Sequence, residues 1–357
     1  MTRKPNDKLI VLTGGGTAGH VLPNLAIVKK LHEDGWKTVY IGSQKGIEKE
    51  LVGNSMPYFS ILTGKLRRYF DLQNFSDVFR VIIGTIQAFF LLRKIKPRVL
   101  FSKGGFVSVP VTVAAKWLKV PVILHESDIT PGLANRISIR FAKKICTAFP
   151  ETGDYLPEGV AEYTGIPVRS ELFTGNRERG LSFCGFNGKK PILLITGGSL
   201  GAENLNRIVR KTINPLIEQF DIIHICGNGK IDASIYLNGY RQFEFIKSEL
   251  PDIMAIADIV VSRAGANTLF ELLALKKPHF LVPLSERVSR GDQILNAKSF
   301  SKQGFCRFKH EESVTPGILL KEIRQLYQDR TQFIEKMQKS DMLDSIGKIV
   351  SVIEKNC

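Results

Sequence analysis

An apolar strand, a glycine-rich turn and a helix follow one another directly in this sequence, and the arrangement occurs twice. The first copy occupies residues 8–33 around the turn Gly14–His20. The second occupies 191–219 around Thr196–Ala202, and its helix is predicted at 204–219. A strand that ends in glycines and leads into a helix is typical of doubly wound α/β domains, which bind ligands at the carboxyl ends of their strands. The sequence therefore predicts two Rossmann-like domains with a ligand-binding cleft between them.

Short apolar runs alternate with helical stretches throughout the chain, which predicts parallel sheets covered on both faces. The predicted strands are 8–13, 37–41, 99–102, 121–124, 144–147, 191–196, 221–226, 243–245, 259–262 and 279–282. A link rich in glycine and proline at 162–169 separates the halves. We therefore predict an N-terminal domain at 1–165, a C-terminal domain at 166–340, and a last helix at 341–357 that packs on the N-terminal domain.

The first turn satisfies the GxGxxG pattern of dinucleotide-binding proteins. An NAD site also requires an acidic residue at the end of the second strand, and none occurs here before Glu48. The turn lacks the GK[ST] ending of a phosphate-binding P-loop. His20 is predicted in the first turn of the helix that follows, where the positive end of the helix dipole favours a neutral imidazole that can accept a proton. The alternative for His20 is a capping or packing role.

The second half contains further candidates for ligand contacts. The free backbone N–H groups of the second turn and the Ser199 hydroxyl suit a phosphate oxygen, and Glu271 suits the hydroxyls of a ribose. Asp292 and Gln293 suit sugar hydroxyls, although lone residues of this kind more often cap helices. No Asp-x-Asp pair occurs, so the sequence predicts neither a metal nor a cofactor.

The charge of the chain is +16, and residues 60–120 carry 11 basic residues against only Asp71 and Asp77. Within this region apolar residues recur at helical spacing, namely Phe75, Val78, Phe79, Ile82, Ile83, Ile86 and Phe90. They are flanked by the basic residues Lys65, Arg67, Arg68, Arg80, Arg93, Lys94 and Lys96. An apolar helix face with a basic rim predicts contact with an anionic membrane surface. The alternative is a core-facing helix with a solvated basic edge.

No uncharged apolar run reaches the 18 or so residues of a membrane-spanning helix, and the N-terminus lacks the apolar core of a signal peptide. Five widely spaced cysteines without a CxxC pattern indicate reduced thiols. These features predict a cytosolic chain, and its basic charge is consistent with a polyanionic partner, which could be a nucleic acid, an anionic membrane face or a phosphorylated substrate.

Several motifs together resemble the bacterial MurG family, nearly over the whole chain and in the expected order. The motifs are Gly15–Pro23, His125–Asp128, Gly165–Arg169, Gly197–Ala202, Ser262–Thr268 and Gly291–Ala297. The resemblance implies a GT-B fold and an inverting transfer of N-acetylglucosamine from UDP-N-acetylglucosamine. The acceptor it implies is the C4 hydroxyl of undecaprenyl-diphospho-N-acetylmuramoyl-pentapeptide (lipid I), and the product is lipid II for peptidoglycan synthesis.

The resemblance also implies roles for individual residues, with His20 as the best candidate for the base. The implied contacts of UDP-N-acetylglucosamine are Thr17, Ala18, Gly19, Arg169, Ser199, Ile246, Ala266, Asn267, Thr268, Leu269, Phe270, Glu271 and Gln293. Two positions depart from the family pattern, because relatives often have glycine at Ala18 and asparagine at Asp128. A direct substrate contact by Asp128 is therefore not predicted.

The resemblance further implies a peripheral membrane protein at the cytoplasmic face, with the two substrates and anionic phospholipid as partners and no nucleic acid. Proteins of cell division or elongation are possible partners under this interpretation. Three alternatives remain open. One is another GT-B enzyme with a lipid acceptor, such as a diacylglycerol glucosyltransferase, and a second is a UDP-N-acetylglucosamine epimerase. The third, a non-catalytic nucleotide-binding protein, leaves the paired glycine turns without an explanation.

Overall fold

A computed structural model describes residues 8–64, 73–197, 202–286 and 289–357. The chain forms two compact units. The first comprises Met1–Arg169 together with Asp344–Cys357, and the second comprises Ser170–Leu343. Each unit contains one parallel sheet with helices on both faces, so the predicted α/β class with two Rossmann-like domains is confirmed.

The sheet of the first unit has, within the described residues, seven parallel strands in the order β3-β2-β1-β4-β5-β6-β7. They are β1 (Leu9–Thr13), β2 (Lys37–Ser43), β3 (Tyr58–Ile61), β4 (Val99–Ser102), β5 (Val122–Glu126), β6 (Lys144–Thr147) and β7 (Ala161–Tyr163). The helices are α1 (Leu22–Glu33), α2 (Ile47–Val52), α3 (Gln73–Ile95), α4 (Ser108–Trp117) and α5 (Leu133–Ser138). The strand order reverses between β1 and β4, which is where doubly wound sheets bind ligands.

The second unit repeats this plan with the order β10-β9-β8-β11-β12-β13. Its strands are β8 (Ile192–Thr196), β9 (Asp221–Ile225), β10 (Tyr240–Phe243), β11 (Ile259–Ser262), β12 (His279–Leu281) and β13 (Cys306–Phe308). Its helices are α6 (Arg177–Cys184), α7 (Glu203–Arg210), α8 (Ile213–Ile217), α9 (Leu250–Ile256), α10 (Ala266–Ala274), α11 (Asp292–Lys302), α12 (Pro316–Gln328) and α13 (Arg330–Gln338). Here the order reverses between β8 and β11.

The last helix, α14 (Ser345–Asn356), packs on the first unit. Its residues Ile349, Val350 and Ile353 join the core formed by α1 and one face of the first sheet. The Trp36 indole N–H donates to Glu354 (3.2 Å), which adds a polar contact at the margin of this core. The apolar face of the helix is thereby removed from water, and this burial holds the chain terminus on the first unit.

The link that precedes the second unit also belongs to the first. His125 Nε2 lies 2.8 Å from the carbonyl oxygen of Gly165, and the Ser345 hydroxyl donates to Ile166 O (2.8 Å). These contacts place the end of the first unit at Arg169, beyond the position 165 expected from the glycine and proline pattern.

The structure contains three strands that the sequence did not predict, namely β3, β7 and β13. Each lies at an edge of its sheet. An edge strand is covered less by neighbouring elements, so it needs fewer apolar residues and gives a weaker apolar pattern in the sequence. The predicted single helix at 204–219 is wrong, because the structure has two short helices, α7 and α8. Pro215 explains the break, since its ring would clash with the carbonyl of Lys211 in a continuous helix.

Candidate functional site

The first glycine turn lies at the switch point of the first sheet, where β1 and β4 run side by side. The Gly15 N–H donates to Gly104 O (3.3 Å), which joins this turn to the glycine pair after β4. The packing is close, because a Cβ on Gly105 would lie 2.1 Å from Gly15 O. Gly105 also has a φ of 81°, a conformation that glycine adopts without strain. Two glycine turns therefore form one rigid edge of the site.

A buried carboxylate fixes the other side of the same turn. Glu48 accepts hydrogen bonds from the Gly16 N–H (3.3 Å) and the Ser43 N–H (3.0 Å), and also from the Ser43 hydroxyl. The Glu48 side chain is fully buried, so these donors replace the water that its charge would otherwise bind. Glu48, which the sequence analysis used only as evidence against an NAD site, thus positions the turn.

His20 lies in a 3₁₀ turn, Ala18–His20, that precedes α1. The predicted position of His20 in the first turn of the helix itself is wrong, because α1 begins at Leu22. Pro23 accounts for this start, since a proline has no N–H to donate to an earlier carbonyl and is tolerated only at a helix beginning. The Thr17 hydroxyl lies 2.9 Å from His20 Nδ1, and both residues reach solvent.

Lys103 is a residue of this site that sequence reasoning missed. It follows β4, is 1% exposed, and donates from Nζ to the Ser127 hydroxyl in the loop after β5. In that loop the Glu126 carboxylate accepts from the backbone N–H groups of Ser127 (2.8 Å) and Asp128 (3.0 Å). Burial lowers the pKa of the Lys103 ammonium to about 8, although the nearby Glu126 and Asp128 carboxylates oppose this. A sequence signal for this residue exists, because the predicted strand 99–102 is followed by Lys103 and then by two glycines, as at the other glycine turns.

We expect the buried Lys103 to make the free energy of unfolding of the first unit vary with pH in the alkaline range. Between about pH 8 and the ordinary lysine pKa of about 10.4, the native chain has released this proton and the unfolded chain retains it. The free energy of unfolding therefore rises with pH across this range, relative to a Lys103→Met variant, by up to about 3 kcal/mol.

Urea unfolding at pH 7.5 and 9.5 checks this expectation. Both tryptophans of the chain, Trp36 and Trp117, lie in the first unit, so their fluorescence follows this unit alone. Lys49→Met is the matched control, because Lys49 is exposed. If the difference between wild type and Lys103→Met is the same at both pH values, Lys103 does not ionise as the structure indicates.

In the second unit, the glycine turn after β8 lies mostly outside the described residues, and Ser199 is among those not described. The structure does describe what surrounds the end of that turn. The Asn204 side chain donates to Glu311 (3.2 Å), and Arg263 Nη2 donates to the same carboxylate oxygen (2.7 Å). The Arg263–Glu311 pair is nearly buried. It joins the segments after β8, β11 and β13 at the carboxyl edge of the sheet, beside its switch point.

Helix α10 begins directly after this arginine and carries the residues 266–271. Ala266, Asn267 and Thr268 form its first turn, and Glu271 is half-buried on its second turn. Leu269 and Phe270 are buried in the core, and the Phe270 ring packs against Phe300 with ring centroids 5.5 Å apart. Their side chains therefore hold the helix in place and are not exposed to a ligand.

Gln293 in α11 lies against the same turn. Its Oε1 accepts from the Ala264 N–H (3.3 Å) and the Leu284 N–H (3.0 Å). Because backbone donors occupy the oxygen, the donor end Nε2 is the part of this side chain that suits a ligand oxygen. Of the remaining predicted contacts, Ile246 is half-buried after the edge strand β10, and Arg169 is half-buried at the end of the first unit.

Helix α3 exposes the apolar face that the sequence indicated. Six of its residues are at least 45% exposed, namely Val78, Phe79, Ile82, Ile83, Ile86 and Phe90. Trp117 of α4, 61% exposed, extends this surface, and its ring lies 6.4 Å from that of Phe89. The alternative of a core-facing helix does not fit this exposure. The side chain of Phe75 and the residues Lys65, Arg67 and Arg68 lie outside the described part of the chain.

Within the described ranges, no helix is both long enough and apolar enough to cross a membrane.

Comparisons with known proteins agree with both units. Residues 10–147 match the glycosyltransferase family 28 N-terminal domain, and residues 192–353 match the C-terminal domain of that family. A Lachnospira eligens protein is 54% identical over 98% of this chain and 99% of its own length. It is named UDP-N-acetylglucosamine–N-acetylmuramyl-(pentapeptide) pyrophosphoryl-undecaprenol N-acetylglucosamine transferase. A Clostridium perfringens protein of the same name is 50% identical over 97% and 98% of the two chains.

Among solved structures, the crystal structure of MurG from Acinetobacter baumannii matches 98% of this chain and 99% of its own. The TM-score is 0.76 and the sequence identity is 26%.

Proposed function

This chain belongs to the MurG family of glycosyltransferase family 28, and on that premise we propose that it transfers N-acetylglucosamine from UDP-N-acetylglucosamine to lipid I. The acceptor is the C4 hydroxyl of the N-acetylmuramoyl sugar, and lipid II is the product. The observation that carries the proposal is the near full-length identity of 50–54% to proteins named for this transfer. The other lipid-acceptor glycosyltransferases considered from the sequence find no such support.

We assign the donor to the second unit. In this assignment Glu271 accepts hydrogen bonds from the ribose hydroxyls, and Ala266, Asn267 and Thr268 surround the nucleoside at the N-terminus of α10. The buried Arg263–Glu311 pair supports it, because it fixes the segments that would hold the diphosphate. Ser199 and Arg169 contact the diphosphate or sugar, Ile246 borders the uracil, and Gln293 donates from Nε2 to the sugar.

The acceptor sugar binds to the first glycine turn in the first unit. There Thr17, Ala18 and Gly19 approach the reacting groups, and His20 removes the proton of the C4 hydroxyl as its oxygen attacks the anomeric carbon. The bond from that carbon to the diphosphate oxygen breaks, and UDP leaves. The backbone donors at the second turn stabilise the charge that develops on the leaving oxygen.

Turnover gives the direct test of this function. The protein is incubated with UDP-N-acetylglucosamine and a lipid I analogue, and UDP release is measured together with the disaccharide product. UDP-glucose in place of the donor, and diacylglycerol in place of the acceptor, test the rival lipid glucosyltransferase. Nucleotide binding without turnover would favour a non-catalytic protein.

The proposed acceptor is a membrane lipid, so the enzyme must reach the membrane surface. We propose that the exposed apolar face of α3 docks the first unit on the anionic cytoplasmic surface of the membrane. The described rim contains Arg80, Arg93 and Lys94. Apolar side chains enter the interface while basic side chains attract anionic headgroups. Partners from the division or elongation machinery are a further possibility that the family suggests.

Removing two aromatic rings from this face should weaken membrane binding. We expect the double variant Phe79→Ser/Phe90→Ser to bind phosphatidylglycerol vesicles about tenfold or more weakly. Both phenylalanines are more than 60% exposed in the free protein, so each has apolar surface that lipid can bury, and serine lacks that surface. Phe173→Ser is the control, since Phe173 is a similarly exposed phenylalanine of the second unit. Vesicle flotation measures the effect, and equal binding by all three proteins would contradict the docking face.

A further inference from the structure

A cavity of about 450 Å³ lies in the first unit beside the glycine turn, between β2, β3 and α3. Its wall nearest the turn contains Phe106, whose ring packs on Gly16 so closely that a Cβ there would lie 2.7 Å from Cε1. Ser43, another wall residue, shares the Glu48 carboxylate with the Gly16 N–H. The cavity is therefore continuous with the groups that hold the proposed acceptor sugar.

The opposite wall of the cavity is held by α3. The Leu62 N–H donates to Gln87 Oε1 (2.8 Å), and α3 approaches Leu62 so closely that a Cβ on Gly84 would lie 1.9 Å from Leu62 O. The same helix supplies Arg80 to the cavity lining and carries the exposed apolar face on its surface. One side of the cavity thus borders the reaction turn, and the other side borders the docking helix.

The lining is cationic. Its described residues include Lys45 and Arg80 and no carboxylate, and the adjacent Glu48 already accepts hydrogen bonds from three donors. Arg80 Nη1 lies 3.8 Å from Asp77 Oδ1, and the guanidinium carries five N–H donors in all, more than this one carboxylate oxygen can accept. Thr63 adds a hydroxyl. Two cations around a cavity of this size suit a compact dianion.

We propose that this cavity binds the diphosphate of the prenyl-linked acceptor, with Lys45 and Arg80 as its cationic ligands. The inference rests on the proposed function. The acceptor has three parts in a fixed order, a sugar, a diphosphate and a prenyl chain. The first unit presents matching parts in the same order: the glycine turn, the cationic cavity and the apolar face of α3. The diphosphate is thereby held where the sugar reaches His20 while the chain enters the membrane.

Kinetics in neutral detergent micelles, without phospholipid, test the site. We expect Lys45→Gln and Arg80→Gln each to raise the KM for a lipid I analogue about tenfold, and to leave the KM for UDP-N-acetylglucosamine unchanged. Lys49→Gln and Arg140→Gln are matched controls, because each removes the same charge from an exposed position of the first unit outside the cavity and outside the docking face. Both controls should keep the wild-type acceptor KM.

Farnesyl diphosphate serves as the probe for direct binding. It should inhibit competitively against the lipid acceptor, and Lys45→Gln should weaken this inhibition. Inhibition that is competitive only against the donor would place the diphosphate elsewhere and overturn the proposal.

Vesicle binding without acceptor separates the diphosphate from a phospholipid headgroup. If Lys45→Gln keeps its acceptor KM in detergent but loses binding to phosphatidylglycerol vesicles, the cavity binds phospholipid and the proposal is wrong. If wild type is active and the cavity variants have the same acceptor KM as their controls, the proposed diphosphate site is wrong but the proposed function is not. Absence of turnover by wild type would instead refute the function itself.

Discussion

Replacing His20 with alanine should lower kcat about 10²–10⁴-fold, the range expected when a general base is removed. The KM for UDP-N-acetylglucosamine should change little, since the donor is assigned to the other unit. Thr17→Val should have a smaller effect, because it removes only the hydroxyl that lies 2.9 Å from His20 Nδ1 and orients the ring. Steady-state kinetics with varied donor and acceptor measure both variants.

Chemical rescue distinguishes a base from a residue that merely shapes the turn. Added imidazole should restore part of the activity of His20→Ala, because the free molecule can occupy the space of the lost ring and accept the proton. It should not stimulate wild type. Near-normal turnover of His20→Ala without imidazole would remove His20 from the chemistry and leave it a positioning role.

Gly105→Ala is expected to reduce kcat/KM about 100-fold or more, because a displacement of about 1 Å at a positioned site can have this effect. The added Cβ would lie 2.1 Å from Gly15 O, and backbone at this distance must move. The movement separates the turn after β1 from the turn after β4, and both carry residues of the proposed acceptor site. Acceptor kinetics should therefore suffer more than donor kinetics.

Gly159→Ala is the matched control for this change. Gly159 has a similar positive φ of 73°, but a Cβ there would meet no atom within 4 Å. Both substitutions should destabilise the first unit by about 1 kcal/mol through the left-handed backbone, and the clash should add to this only at Gly105. Equal activity of the two variants would show that the contact between the turns does not organise the site.

Local sequence patterns determined much of this protein. A strand that ends in glycines and enters a helix is a short-range feature, so both domains and their α/β class were predictable. The helical spacing of apolar residues such as Phe79 and Phe90 is also local, but it left open whether they face the core or solvent, and the structure shows both residues exposed. The family followed from motifs distributed along nearly the whole chain, and the comparisons confirm it.

Other features depend on contacts between residues distant in sequence. Lys103 is identified as a site residue only by the tertiary structure, because the pairing of β4 with β5 brings its Nζ to the Ser127 hydroxyl. The Gln293 amide oxygen accepts hydrogen bonds from backbone N–H groups of two separate loops. Only these tertiary contacts indicate that the amide nitrogen, and not the oxygen, suits a ligand. Leu269 was predicted as a ligand contact from its place in a motif, but the packing of α10 on the sheet buries its side chain.

The glycine turn Gly14–His20 illustrates the division between sequence and tertiary structure. Its glycines and its position after β1 were sufficient to predict a ligand-binding turn, because backbone conformation depends on neighbouring residues. The residues that support it were not predictable, since Glu48 contacts it from helix α2 and Gly105 from the turn after β4. The sequence by itself determined where the chain turns and which faces are apolar. Tertiary structure decided which side chains meet there, because burial and charge pairing arise only when separate elements pack together.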